Sequence, residues 1–169
     1  MVIADFAFIL VAAFVLICAC VVVFHNKIIY SAFALLFCFF GVAGLYVFLN
    51  AEFLAGTQLL VYVGGISVLI LFGILLTKNI EDLTSKEVST QKIFGGLISV
   101  TFLGGLIYMV NSVDWKVSTP KPIENSPVEI GKLFMSDFLI PFEIAGVLLL
   151  VALIGAVVIG RDTDKDLEV

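Results

Sequence analysis

Apolar residues fall into five long runs separated by shorter polar stretches. Each run has close to the ~20 residues that a helix needs to cross ~30 Å of hydrocarbon. None shows the alternation of polar and apolar positions expected for the strands of a membrane barrel. The pattern predicts an all-α integral membrane protein, a single membrane domain over the whole chain. Its predicted transmembrane helices cover residues 6–24, 29–49, 53–76, 93–110 and 141–159.

The first two connections are tight, and the third is longer and charged. Residues 25–27 and 50–52 leave room only for turns, so the first three helices are predicted to form antiparallel hairpins. The third connection has the sequence TKNIEDLTSKEVSTQK.

The fourth connection, residues 111–137, is the longest. It contains Pro120, Pro122 and Pro127, which favour an extended, irregular loop. Residues 160–169 form a charged tail that we interpret as solvated.

Composition supports a membrane protein and excludes other classes. The chain is 62% hydrophobic and 14% charged, with a mean hydropathy of +1.20, so lipid is the expected solvent. The net charge of −5 comes without a basic stripe, which argues against nucleic acid as a partner. Cys18, Cys20 and Cys38 lie in apolar runs and are interpreted as small packing residues. No catalytic, cofactor-binding or metal-ligating residue is predicted.

Positive charges predict the orientation. No Lys or Arg precedes Asp5, so the first run is interpreted as a retained span rather than a secretory signal. An outside N-terminus and a cytoplasmic C-terminus place more Lys and Arg inside, as membrane proteins generally do. The inner residues would be Lys27, Lys78, Lys86, Lys92, Arg161 and Lys165, and the outer ones Lys116, Lys121 and Lys132.

Small residues recur at helical spacing on several runs. Such stripes let helix backbones approach closely in lipid. The second run carries Ser31, Ala34, Cys38 and Gly41 on one stripe. The fourth and fifth runs have similar series, so the helices are expected to pack against other helices.

The third run is unusual because polar and small residues interrupt its centre. At ~100° per residue, one helix face holds Gln58, Tyr62, Gly65 and Gly73. A helix facing lipid has no need of these residues. We therefore expect the third helix to be enclosed by protein.

The adjacent Gly64 and Gly65 allow two interpretations. Glycine permits close packing of membrane helices, and the spacing alone favours this role. Each glycine also costs ~1 kcal/mol of helix preference relative to alanine, so the pair is a place where a π-bulge can form.

Two acids near predicted helix starts also have two interpretations. Glu52 and Glu143 lie in or just before a first helical turn, where a carboxylate complements the positive end of the helix. The alternative is a proton or cation hand-over near the outer boundary of the membrane.

The third run resembles a known family. The segment EFLAGTQLLVYVGGISVLILFGILL, with the later PFEIAGVLLLVALIGAVVI, resembles subunit J of the proton-pumping NADH–quinone oxidoreductase, respiratory complex I, whose mitochondrial counterpart is subunit 6. The likeness covers the five-span layout, and its most specific part is VYVGG in the third run.

The resemblance implies a membrane-arm subunit without a redox centre of its own. NADH, FMN, iron–sulfur clusters and quinone would be bound by other subunits. The neighbours would be subunits of the K, A and H type, together with lipid. The expected location is the inner (plasma) membrane of a bacterium.

The resemblance also implies a role for the third helix. In this family the helix is associated with a switch between a π-bulged and a regular α-helical form, which opens or closes a water and proton path. Tyr62, Gly64 and Gly65 match the bulge region, which shifts our preference from packing to the switch. Gln58 stands where some relatives have a carboxylate. Glu52 and Glu143 match helix-start positions.

Two other functions stay open from the sequence. One is a subunit of a related multi-subunit cation/proton antiporter. The other is a purely structural membrane scaffold in which Gly64 and Gly65 serve as a packing notch.

Overall fold

The computed structural model describes residues 2–77, 89–114 and 125–161. All regular elements in these ranges are helical. The bounds are α1 Val2–Phe24, α2 Ile28–Phe48, α3 Glu52–Thr57, a π-helix Gln58–Ser67, α4 Val68–Leu76, α5 Ser89–Ser112, α6 Ser126–Phe134 and α7 Leu139–Gly160. We call Glu52–Leu76 the third span and Gln58–Ser67 the π segment.

Five helical stretches of the described residues are long and apolar enough to cross a membrane. They are α1, α2, the third span, the apolar part of α5, and α7. The prediction of an all-α protein with five spans is therefore confirmed. The outside N-terminus and cytoplasmic C-terminus stay a prediction, and several lysines on which they depend lie outside the described residues, as does most of the charged tail.

The chain divides into two compact units, Met1–Pro122 and Ile123–Val169. In the first unit, α1 and α2 form an antiparallel hairpin. Phe8 near one end of α1 meets Phe48 at the far end of α2, with ring centroids 6.1 Å apart and nearly perpendicular planes. The Cys38 thiol donates a hydrogen bond to the carbonyl of Val15, with an S to O distance of 3.8 Å.

Small residues of α2 make this hairpin close. Gly41 is buried, and a Cβ added to it would lie 2.6 Å from Cγ2 of Val15. Ala34 is buried on the same predicted stripe, so the stripe of the second run does mark a close approach. Cys18 is also buried, in keeping with its interpretation as a packing residue.

The turn between α2 and the third span is as tight as predicted. Asn50 has a positive φ of 56°, a left-handed conformation that asparagine tolerates at helix ends. The N–H of Ala51 then donates to the carbonyl of Tyr46 over 2.9 Å. This reversal lays the third span back against α2, which packs with α3, the π segment and α4.

The second unit corrects one expectation about the fourth connection. Residues 126–134 were predicted to belong to an irregular loop but form α6. Pro127 lies at the start of α6, where its missing N–H would have had no helical partner. Proline therefore begins this helix instead of excluding it. Within the unit, Phe134 of α6 stacks on Phe142 of α7, with centroids 5.8 Å apart. Residues 115–124 of the connection lie outside the described residues.

Candidate functional site: the π segment of the third span

The third span changes its helical register twice. At its start, the N–H of Gln58 still donates to the carbonyls of Leu54 and Ala55, as in ordinary helical turns. The next ten residues form the π segment, in which backbone bonds join residues five apart. Regular α-helix resumes at Val68.

Two hydroxyl groups mark the ends of the π segment. Thr57, just before it, donates its hydroxyl to the carbonyl of Phe53, four residues earlier, over 2.9 Å. Ser67, its last residue, donates to the carbonyl of Tyr62, five residues earlier, over 2.7 Å. Since a serine or threonine in an α-helix bonds back three or four residues, the bond of Ser67 follows the wider π register.

The face that the third span turns toward α2 differs from the predicted one. Gln58 and Ser67 are both buried, with 7% and 2% of their surface exposed. Gly73, assigned to the same face as Gln58 by α-helical spacing, is exposed and has no neighbour within 4 Å of an added Cβ. Gly65 is half-buried. The predicted face with Gln58, Tyr62, Gly65 and Gly73 is therefore wrong at Gly73, because the wider π register between Gln58 and Ser67 changes which later residues align.

Ser67 is the residue that sequence reasoning missed. The polar residues Gln58, Tyr62 and Ser67 follow one another at spacings of four and then five. A strict 3.6-residue period does not join all three, whereas a helix with about 4.4 residues per turn does. The spacing of four and then five residues is the sequence signal by which Ser67 could have been identified.

Tyr62 lies at the middle of the π segment and reaches α2. Its ring meets that of Phe39 at a centroid distance of 5.4 Å and an interplanar angle of 71°. The edge-on geometry is favourable for aromatic pairs. The side chain still exposes 42% of its surface in this chain, so contact with α2 does not enclose it.

The glycine pair lies in the second half of the π segment, and its two members differ. A Cβ on Gly64 would lie 3.3 Å from the carbonyl oxygen of Leu59, which is a tight contact. A Cβ on Gly65 would lie 3.8 Å from the carbonyl of Leu60, an ordinary van der Waals distance. The π conformation therefore needs glycine more at the first position than at the second.

The two candidate acids occupy different settings. Glu52 is the first residue of α3, six positions before Gln58, and is exposed. Glu143 is the fifth residue of α7, because that helix begins at Leu139 and has no acid in its first turn. Glu52 thus lies in the first turn of its helix, whereas Glu143 lies just beyond the first turn of α7 and not in or before it as predicted. Glu143 lies in the second unit and is exposed among apolar residues.

Side chains that commonly bind metals do not cluster in the described part of the chain. No group of three or more His, Cys, Asp or Glu side chains among them could hold a metal ion. Apart from its contact with α2, most of the third span is exposed. Contact with α2 alone does not supply the enclosure predicted for this helix.

Comparison with known proteins points to one family. The sequence model of the NADH-ubiquinone/plastoquinone oxidoreductase chain 6 family matches residues 18–159. The NAD(P)H-quinone oxidoreductase chain 6 of Synechocystis sp. is 41% identical over 162 residues, covering 92% of this chain and 79% of that protein. The chain 6 protein of Nostoc sp. is 44% identical over 142 residues, covering 83% and 70%. The chloroplastic subunit 6 of Nephroselmis olivacea is 41% identical over 140 residues, covering 83% and 82%.

Proposed function

The chain belongs to the NADH-ubiquinone/plastoquinone oxidoreductase chain 6 family, and from this premise we propose that its third span gates a water and proton path in a proton-translocating complex. The chain is a membrane subunit of an NAD(P)H–quinone oxidoreductase. The gate would couple quinone reduction elsewhere in the complex to proton movement through the membrane. The family match favours an oxidoreductase subunit over an antiporter subunit.

The observation that carries the proposal is the π segment itself. Ten residues at the centre of an otherwise α-helical span adopt a wider helix, and they include Gln58, Tyr62, Gly64 and Gly65. π-turns inside α-helices are frequent at functional sites. Because the π and α forms keep most backbone hydrogen bonds, a difference of a few kcal/mol in binding at a distant site is enough to shift their balance.

A change of register would alter which side chains face α2. Gln58 and Tyr62 share a face in a regular α-helix as well, whereas Ser67 joins that face only in the π form. If the π segment became a regular α-helix, the residues after the glycine pair would rotate about the helix axis relative to those before it. The rotation is about 100° for each residue by which the register shifts. Such a rotation moves polar groups into or out of a contact between spans, which is what making or breaking a water path requires.

The remaining assignments are part of the same proposal. NADH, FMN, iron–sulfur clusters and quinone would be bound by other subunits, and this chain would bind none of them. Subunits of the K, A and H type would cover the exposed flanks of the third span, in the plasma membrane of a bacterium. Glu52 and Glu143 would stand near the outer boundary as candidate points of proton hand-over.

The decisive experiment replaces both Gly64 and Gly65 with alanine in the assembled complex. Alanine favours the regular helix by ~1 kcal/mol at each position, so the π form should be depleted. We expect the complex to assemble, NADH oxidation by an artificial electron acceptor to continue, and the proton-to-electron ratio in reconstituted vesicles to fall.

The matched control replaces Gly95 and Gly96 with alanine. This second adjacent glycine pair lies in the regular helix α5 and has no neighbour within 4 Å of an added Cβ. Its replacement should leave the proton-to-electron ratio unchanged. If the Gly64 and Gly65 double variant pumps normally, the gate is excluded and a structural scaffold is the function that stays.

A further inference from the structure

The two ends of the π segment are both buried, although the span between them is largely exposed. Gln58 begins the segment with 7% of its surface exposed, and Ser67 ends it with 2% exposed. The span that packs along the segment is α2. Both ends of the segment therefore face α2.

Only the wide register allows this arrangement. Gln58 and Ser67 are nine residues apart. At ~100° per residue, nine residues of α-helix turn through ~900°, which leaves the two side chains on opposite faces. At about 4.4 residues per turn the same nine residues complete close to two turns, which leaves them on the same face. Burial of both residues against α2 thus excludes a regular helix between them.

The glycine pair by itself does not explain the π form. Helix α5 contains two adjacent glycine pairs, Gly95 with Gly96 and Gly104 with Gly105, and it is regular α-helix at both. Its Ser99 donates a hydroxyl hydrogen bond to Gly95, four residues earlier, over 2.8 Å. Glycine therefore permits the wider register, and another feature of the third span must select it.

Ser67 differs from Ser99 in two respects, of which burial is the one that bears on this selection. Its hydroxyl bonds five residues back, to Tyr62, and the side chain is almost completely buried, whereas Ser99 is exposed. A side chain as small as serine lets the backbone of the third span lie close to α2 at this point. The hydroxyl also holds the carbonyl of Tyr62, whose ring contacts Phe39 on α2.

We propose that Ser67 is a positioning residue that selects the π register of the third span by packing against α2, with its hydroxyl bonded to the carbonyl of Tyr62. This inference rests on the proposed gate and names the residue that sets its balance. Conversion to a regular helix would carry position 67 away from α2, while Gln58 and Tyr62 would still share a face.

The test increases the side-chain size at position 67 in the assembled complex. Ser67→Leu should not fit against α2, and overpacking of this kind should lower the ratio of π to α forms by about ten-fold or more. Ser67→Thr, which adds one methyl group, should lower the ratio by a smaller factor. The ratio is measured by electron cryo-microscopy of the complex, from the helical register of residues 58–67 in separated particle classes.

Two further variants test whether side-chain size at position 67, rather than the hydroxyl group, selects the π form. Ser67→Ala should change the ratio of π to α forms by less than about two-fold, because alanine fits the same space. Removal of the hydroxyl should favour neither form, since a serine hydroxyl in a regular helix would bond to the carbonyl four residues back instead. Ile66→Leu is the matched control. Ile66 precedes Ser67 in the sequence, its side chain is 40% exposed, and leucine has the same volume. A leucine or threonine variant that keeps the π form overturns the proposal, as does an alanine variant that loses it. The threonine variant decides the matter if the leucine variant does not assemble.

The same variants separate this inference from the gate on which it rests. If the register shifts with size at position 67 but the proton-to-electron ratio stays constant, Ser67 selects the register and the gating function fails. If the register does not respond while the double alanine variant of Gly64 and Gly65 loses pumping, the gate stands and the role of Ser67 fails. NADH oxidation with an artificial electron acceptor should be unchanged in all variants.

Discussion

The ring of Tyr62 meets the ring of Phe39 edge-on, with centroids 5.4 Å apart and an angle of 71° between the planes. The contact joins the middle of the π segment to α2. It uses the apolar body of the tyrosine, so the hydroxyl is available for other contacts. The packing and polar roles of Tyr62 can therefore be tested separately.

Tyr62→Phe should preserve the ring contact and assembly while it removes the hydroxyl. If that hydroxyl orders water along a proton path, the proton-to-electron ratio in reconstituted vesicles should fall while electron transfer to quinone continues. Tyr108→Phe is the control, because Tyr108 lies on α5 and is 75% exposed. An unchanged ratio in the Tyr62 variant would remove the hydroxyl from the path.

Single substitutions of the glycine pair should have unequal effects. Gly64→Ala places a Cβ at a tight 3.3 Å from the carbonyl of Leu59, whereas Gly65→Ala places one at a comfortable 3.8 Å from Leu60. Both changes favour the α form by ~1 kcal/mol, and crowding in the π form adds to this only at Gly64. Cryo-microscopy should show a larger loss of the π form for Gly64→Ala. Equal losses would show that helix propensity alone sets the balance.

The α1–α2 hairpin should depend on Gly41. Gly41→Ala forces a Cβ to within 2.6 Å of Cγ2 of Val15, a β-branched side chain with little rotational freedom. We expect a loss of about 1–3 kcal/mol in stability, seen as a lower Tm of the complex or a lower content of this chain.

The control for this prediction is Gly44→Ala on the same helix. Its Cβ would lie 3.4 Å from Cγ1 of Val11, a distance that the structure accommodates with little adjustment. The control should stay close to the wild type. Equal Tm values for the two variants would contradict the close approach at Gly41.

Glu52 and Glu143 should respond differently to neutralisation. Glu52→Gln removes a carboxylate from the start of α3, where its interaction with the helix terminus contributes only a few tenths of a kcal/mol up to ~1 kcal/mol. Glu143 lies beyond the first turn of α7 among apolar residues, a setting in which a membrane carboxylate usually has a function. Glu143→Gln should therefore lower proton pumping more than Glu52→Gln does. Pumping rates at matched NADH oxidation provide the comparison, and the reverse order would assign the hand-over to Glu52.

The sequence by itself determined the number and type of the spans and the tight turns between the first three. These features are local, because a membrane helix satisfies its backbone hydrogen bonds internally and needs only a sufficient length of apolar residues. The small-residue stripe of α2 also predicted close helix packing, since small side chains at helical spacing let two helix backbones approach.

Only the tertiary structure decided the register of the third span. Gly64 and Gly65 form an adjacent glycine pair like those of α5, yet the third span is π-helical at this pair and α5 is regular α-helix. The third span also packs on α2 and has Gln58 and Ser67 buried, whereas residues 94–112 of α5 are exposed. Similarly, Pro127 was expected to favour an irregular loop, but it lies in the first turn of α6, whose Phe134 stacks on Phe142. In both places the local sequence permits more than one backbone conformation, because glycine allows either helical register and proline is accepted in a first helical turn, so the sequence alone did not decide between them.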